Sequence, residues 1–137
     1  MSVAIAVVTD APIDADEVEA AVLTRADGAL VTFRGVIRDH DSGHAVTRLE
    51  YSAHPDAEAF LLAACERVAA STGLVVGAVH RIGPLGIGDV ALVAAVAAPH
   101  RAEAFAACSE LVDVIKAGVP IWKRQHSPDG TTEWVGL

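Results

Sequence analysis

The sequence has few aromatic residues, only two cysteines and no long apolar run. Aromatic residues make up 4% of the chain, too few for a platform of stacked rings that would bind single-stranded nucleic acid. Cys65 and Cys108 lie far apart and lack the C-x-x-C spacing of a zinc or redox site, so we expect two buried thiols. Because no uninterrupted apolar run reaches the roughly 18 to 20 residues that cross a bilayer, we expect a soluble protein with no membrane partner.

Positive charge is also scarce. The formal net charge is −8 at pH 7, which argues against a nucleic-acid partner, because duplex affinity depends on many phosphate-neutralising cations. An anionic ligand must instead meet a local cluster of positive charge. The apolar run at 3–8 has no basic segment before it and leads into Asp10. We interpret it as a strand and not as a signal peptide, and we expect a cytoplasmic location.

The 137 residues predict a single α+β domain over positions 1–137, with a mostly antiparallel sheet and about three helices. Periodicity and turn residues predict helices at 14–23, 57–70 and 100–116, and strands at 3–8, 29–37, 46–53, 74–82, 90–98 and in a final hairpin at 121–134. Residues 46–53 are expected to pair with 29–37 as a hairpin. The glycine-rich segment 83–88 is interpreted as a turn, because its glycine order does not match a dinucleotide-binding loop and it leads to a strand.

Six histidines raise the question of a metal site. His40 and His44 have the spacing of two ligands on a helix, but Gly43 and the nearby aspartates indicate a loop, and no cysteine is close in sequence. The G-x-S-x-G pattern that positions a hydrolase serine is absent as well. We therefore expect neither a metal ion nor a cofactor.

The chemistry of the chain is expected to depend on two lysines. Of the ten Lys and Arg residues only Lys116 and Lys123 are lysines, and six residues separate them. A lysine ammonium can lose its proton when it is buried or near other cations, which suits nucleophilic or proton-transfer work, and two lysines in one site lower each other's pKa. The alternative is structural: Lys116 would complement a helix dipole and Lys123 would be a solvated strand residue.

Four further cations are candidates for binding an anion. His100 and Arg101 follow Pro99 at the predicted start of the third helix, where free backbone N–H groups favour a phosphate or carboxylate. A surface helix end with screened charges is the alternative. Arg34 and Arg38 lie on the same face of the strand at 29–37 if side chains alternate strictly, and Arg38, at the strand end, is the better candidate.

Five segments of the chain resemble the large, catalytic subunit family of molybdopterin synthase. They are 33–38 (FRGVIR), 49–51 (LEY), 80–83 (HRIG), 99–105 (PHRAEAF) and 116–123 (KAGVPIWK). They occur in the order of that family and cover the chain from about Gly28 to Trp134. The last segment, with a lysine seven positions before the lysine of P-I-W-K, is the most specific.

The resemblance implies a fold, a reaction and a set of roles. It implies an α/β-hammerhead-like fold and a sulfurtransferase that converts cyclic pyranopterin monophosphate into molybdopterin. The sulfur would come as a thiocarboxylate on the C-terminal Gly-Gly of a small ubiquitin-like subunit, within a heterotetramer built on a homodimer of large subunits. It implies that Lys116 acts in sulfur transfer and that Lys123 assists as acid, base or charge stabiliser. The implied substrate-binding residues are Arg38, His100, Arg101 and Phe33.

Two other functions remain open at this point. The chain could be a non-catalytic scaffold or anion-binding homologue that keeps the fold and the partner. It could also be an unrelated small α+β hydrolase or ligase that uses its lysines for phosphate. The absence of a phosphate loop argues against the second.

Overall fold

Two four-stranded sheets and three helices form most of the computed structural model, which describes residues 2–41 and 43–136. The helices are α1 (Ala15–Val22), α2 (Ala57–Thr72) and α3 (Arg101–Gly118). The strands are β1 (Val3–Thr9), β2 (Ala29–Val36), β3 (His40–Asp41), β4 (His44–Ala45), β5 (Arg48–Ala53), β6 (Val75–Arg81), β7 (Gly83–Gly86), β8 (Val90–Ala98), β9 (Ile121–His126) and β10 (Thr132–Gly136). The predicted α+β class and the three helices are confirmed.

The first sheet has the order β1-β6-β8-β2 and holds the core. The β1–β6 pair is parallel, and the other two pairs are antiparallel. Strand β8 is apolar throughout because both of its faces are covered. Val93 and Ala95 pack in the cluster of α1, whereas Ala94 and Val96 pack in the cluster of α2 and α3.

Local signals set the helix ends. The Asp14 carboxylate accepts a hydrogen bond from the backbone N–H of Asp16 at 2.9 Å, as an N-cap residue does. Gly73 ends α2 with φ of 73°, a left-handed conformation that glycine adopts without steric cost. Helix α1 ends at Val22, one residue before the end of the predicted range 14–23.

The second sheet has the order β10-β9-β5-β7 and corrects two predictions. The expected hairpin between 29–37 and 46–53 is wrong: β2 pairs with β8, and β5 pairs with β9 and β7. The short β3–β4 hairpin carries the chain from one sheet to the other. The segment 83–88 is a turn only at its last two residues, because Gly83–Gly86 is a strand whose Leu85 is buried. The predicted hairpin at the C-terminal end is confirmed as β9–β10.

Candidate active site

A cavity of about 310 Å³ lies where the two sheets meet, at the C-terminal end of α3. It brings together both lysines and the cationic end of β2. The charged, titratable or polar side chains that line it are Arg34, Arg38, His40, Asp41, Tyr51, His80, Lys116, Lys123 and Gln125. Phe33 and Leu49 are among the apolar lining residues. Of the predicted site residues, Lys116, Lys123, Arg38 and Phe33 are therefore in one place.

The turn between α3 and β9 puts the two lysines in the same cavity. Lys116 lies exposed in the last turn of α3, and Lys123 lies half-buried on β9, opposite Tyr51 of β5. Val119 and Ile121 between them are buried in the core. The anchored turn folds the strand back under the helix end, which brings together two lysines that are separated in sequence.

Lys123 is the lysine whose protonation the cavity perturbs. Burial lowers the pKa of Lys123, and the positive charges of Lys116 and Arg38 lower it as well. The carboxylate of Asp41 acts in the opposite direction. A lysine in this situation can exchange a proton more readily near neutral pH than a solvated one.

His100 and Arg101 lie at the far end of α3. His100 is the N-cap residue, its side chain makes no capping hydrogen bond, and both side chains are exposed. At a rise of about 1.5 Å per residue, the helix separates Arg101 from Lys116 by about 22 Å. Neither residue lines the cavity. Within one chain, the structure does not bring these two predicted residues to the lysines.

His80 is a cavity residue that we did not single out as a site residue from the sequence. Its side chain is buried, its Nδ1 lies 2.8 Å from the Arg81 carbonyl oxygen, and its ring meets the Tyr51 ring edge-on with centroids 5.1 Å apart. Nδ1–H therefore donates to the carbonyl, which leaves Nε2 as the acceptor. Burial lowers the pKa of His80 to about 4, and Lys116 contributes in the same direction, against the hydrogen bond to Arg81.

The neutral state of His80 predicts an acid-sensitive stability. In the unfolded chain the pKa returns to about 6.5, so between pH 6.5 and 4 the unfolded chain binds the proton more tightly. The free energy of unfolding should therefore fall through this window, by roughly 2 to 3 kcal/mol from this one group. Urea unfolding at pH 7 and pH 4.5 measures the loss. In His80→Gln the loss of unfolding free energy should be smaller by that amount. His44→Gln, at an exposed position, should behave like wild type. Equal losses in all three proteins would contradict the assignment.

The remaining candidates give no second site. Cys65 and Cys108 are buried, as predicted, and burial raises the pKa of Cys65 to about 12, which leaves it protonated and unreactive. In the parts of the chain that the structure describes, no three His, Cys, Asp or Glu side chains are grouped closely enough to hold a metal ion. None of the described helices combines the length and apolar character needed to span a bilayer.

Comparison with known proteins identifies the family. The model of the MoaE protein family matches residues 8–118. The chain belongs to the MoaE family. Molybdopterin synthase catalytic subunit 1 of Mycobacterium tuberculosis is a relative with 46% identity over 132 residues, which cover 93% of this chain and 88% of that protein. The family to which the five segments pointed is thereby confirmed.

Two solved structures support the MoaE fold. The X-ray structure of molybdopterin synthase from Staphylococcus aureus superimposes with a TM-score of 0.88 at 35% identity, and the match covers 95% of this chain and 96% of that one. A chain from the complex of subunits 1 and 2 of the molybdopterin-converting factor of Helicobacter pylori gives a TM-score of 0.71, with 96% of this chain and 90% of that one covered. Its identity is 16%, so it bears on the fold alone.

Proposed function

We propose that this MoaE-family chain is the catalytic subunit of a molybdopterin synthase. It transfers sulfur from the C-terminal thiocarboxylate of a small ubiquitin-like subunit to cyclic pyranopterin monophosphate and so forms the dithiolene of molybdopterin. The observation that carries the proposal is the convergence of Lys116, Lys123 and Arg38 on one cavity. The names of the relatives in Mycobacterium and Staphylococcus support it.

The cavity suits a reaction between two anions. A thiocarboxylate and a phosphorylated pterin repel each other, and the lysine and arginine charges offset that repulsion. Lys116, exposed at the helix end, is accessible to an extended C-terminal tail of the partner and acts in sulfur transfer. Lys123, half-buried with a lowered pKa, serves as acid, base or charge stabiliser beside it. The sulfur comes from the partner, so the buried, protonated thiols of this chain need take no part.

Substrate binding is assigned to the other predicted residues. Arg38 has a largely exposed guanidinium at the rim of the cavity, where it can meet the phosphate, and Phe33 lines the cavity wall. His100 and Arg101 are too far from the lysines of their own chain. We assign them to the cavity of a second copy, so that the N-terminal end of α3 supplies cations and free N–H groups to the substrate of its neighbour.

This assignment requires an oligomer. A homodimer with two-fold symmetry gives both cavities the same contribution from the opposite chain. With one small subunit at each cavity the assembly is a heterotetramer. The Helicobacter chain of the same fold comes from a complex of two subunits of the molybdopterin-converting factor.

Reconstitution tests the proposed function. The purified chain, incubated with cyclic pyranopterin monophosphate and a thiocarboxylated small subunit, should form molybdopterin, measured as its fluorescent oxidation product. The matched control is the same small subunit with an ordinary C-terminal carboxylate, which should give no product because it carries no sulfur. A chain that binds the small subunit but makes no product would contradict catalysis and favour a scaffold.

A further inference from the structure

Three side chains form a connected chain of contacts at the rim of the cavity. The Gln125 Nε2 donates to Asp41 Oδ2 at 2.7 Å, and the Arg38 guanidinium donates to Asp41 Oδ1 at 3.2 Å. Both oxygens of one carboxylate are thus in use. All three residues line the cavity that holds Lys116 and Lys123.

Gln125 is firmly held in the second sheet. It lies two residues after Lys123 on β9, so both side chains project to the same face of the sheet. Its residue is buried, and its backbone pairs with Leu49 of β5 and Glu133 of β10. The amide therefore fixes Asp41, and Asp41 ties the short β3–β4 hairpin to the second sheet.

Asp41 is also the one acidic residue among the described residues that line the cavity. The Gln125 hydrogen bond lowers the pKa of its carboxyl group, and the charges of Lys123 and Arg38 lower it too, against the effect of burial. The carboxylate is therefore ionised at neutral pH. A fixed negative charge weakens the binding of anions in the same cavity. Its presence therefore indicates that Asp41 has another function in the site.

Other charged or titratable groups line the cavity around Lys123 or lie on the strand next to β9. Arg34 comes from β2, Arg38 and His40 from the segment after it, Tyr51 from β5, His80 from β6, Lys116 from α3 and Glu133 from β10. Glu133 is exposed at the edge strand and lies opposite Gln125. Asp41, held between Gln125 and Arg38, is the fixed negative charge of this set.

We propose that Asp41 is a positioning residue of the active site, which holds Arg38 at the rim of the cavity and supplies the counter-charge for Lys123 until an anionic ligand binds. When an anionic substrate binds, its negative charge adds to that of the Asp41 carboxylate in neutralising Arg38 and Lys123. The role of Asp41 in turnover rests on the proposed function, whereas its effect on Lys123 does not.

The scarcity of lysine makes this effect directly measurable. A chain labelled with lysine carrying ¹³C at the ε-carbon gives two lysine signals, because the sequence contains two lysines. Lys116→Arg and Lys123→Arg assign them, and a pH titration of the unliganded chain follows each amine. In Asp41→Asn the midpoint of Lys123 should move to lower pH, because a neighbouring negative charge favours the ammonium.

The matched control is Asp39→Asn. Asp39 is an exposed carboxylate two residues away that pairs with His40 at 2.9 Å and does not line the cavity. Its removal costs the same net charge and should leave the Lys123 midpoint at the wild-type value. The double variant Asp41→Asn, Gln125→Glu exchanges the carboxylate and the amide, and it should return the midpoint toward wild type.

Turnover gives a second measurement. In the reconstituted reaction, the limb of the pH–rate profile that belongs to Lys123 should move to lower pH in Asp41→Asn, in step with the NMR midpoint. An unchanged midpoint in Asp41→Asn, or an equal change in Asp39→Asn, would overturn the proposal. A shifted midpoint in a chain that makes no product would instead uphold it and contradict the proposed function.

Discussion

Lys116→Ala should lower the rate of molybdopterin formation by at least about 100-fold, the loss typical when one group that stabilises a transition state is removed. Lys116 lies exposed at the end of α3, where an extended partner tail can reach it. Lys123, the other lysine of the sequence, is half-buried in the cavity and has a different assigned role, so we do not expect it to replace Lys116. A single-turnover assay with excess thiocarboxylated partner measures the chemical step. The loss should appear in the rate and not in partner binding. Equal product from wild type and Lys116→Ala would show that the assigned role is wrong.

Lys116→Arg separates two roles for this side chain. Arginine keeps the positive charge and cannot lose its proton under these conditions. Recovery of most of the rate would assign Lys116 to charge stabilisation. A rate as low as that of Lys116→Ala would assign it to chemistry that needs a free amine. Thermal unfolding of both variants checks the fold, which an exposed helix-end substitution should leave intact.

Two inactive variants should restore each other. If Arg101 serves the cavity of a second copy, a heterodimer of Lys116→Ala and Arg101→Ala contains one doubly defective site and one intact site. Purified by two different affinity tags, it should have about half the wild-type rate, since a two-fold dimer has two equivalent sites. Each homodimeric variant should be nearly inactive. A heterodimer as inactive as its parents would contradict a site shared between copies.

Arg67→Ala is the matched control for the loss of an arginine. Arg67 is exposed on α2 and does not line the cavity. Its replacement should leave the homodimer active. A heterodimer of Arg67→Ala with Lys116→Ala should also have about half the wild-type rate, because the Arg67→Ala chain keeps Lys116 and the pair therefore has one intact site.

The sequence predicted the individual strands and helices better than it predicted which strands pair with each other. The apolar run 90–98 indicated a strand, and β8 occupies Val90–Ala98. The pairing of 29–37 with 46–53 failed because a pattern of alternating residues specifies one face of a strand and carries no information about its partner. Proximity in sequence favoured a hairpin, but the β3–β4 segment leads the chain into the other sheet. The strand at Gly83–Gly86 was missed because its two glycines and a proline are typical of turns.

The site was predicted where the residues are chemically distinctive. The lysine pair, Arg38 and Phe33 line one cavity, and the roles that the resemblance implied for them stay predictions. His80 and Asp41 were missed as site residues, since a histidine in an apolar strand and an aspartate in a polar loop are each common. Their roles depend on what surrounds them: the Arg81 carbonyl in one case and the Gln125 amide in the other. Asp41 and Gln125 lie 84 positions apart in the sequence, so no local pattern indicates their contact. The burial of His80 depends on the packing of the folded sheets, which a local pattern does not show either.

The convergence of both lysines on one cavity also decides where this protein can react with electrophiles. Lys116 and Lys123 are all the side-chain amines that the chain has. An acylating reagent can therefore form an amide with a side chain only at this cavity. The same holds for the activated C-terminus of the partner, if an amine attacks its carbonyl carbon before the sulfur is transferred. Amide-linked side products between this chain and the partner would show which lysine the partner's C-terminus reaches, without any engineered label.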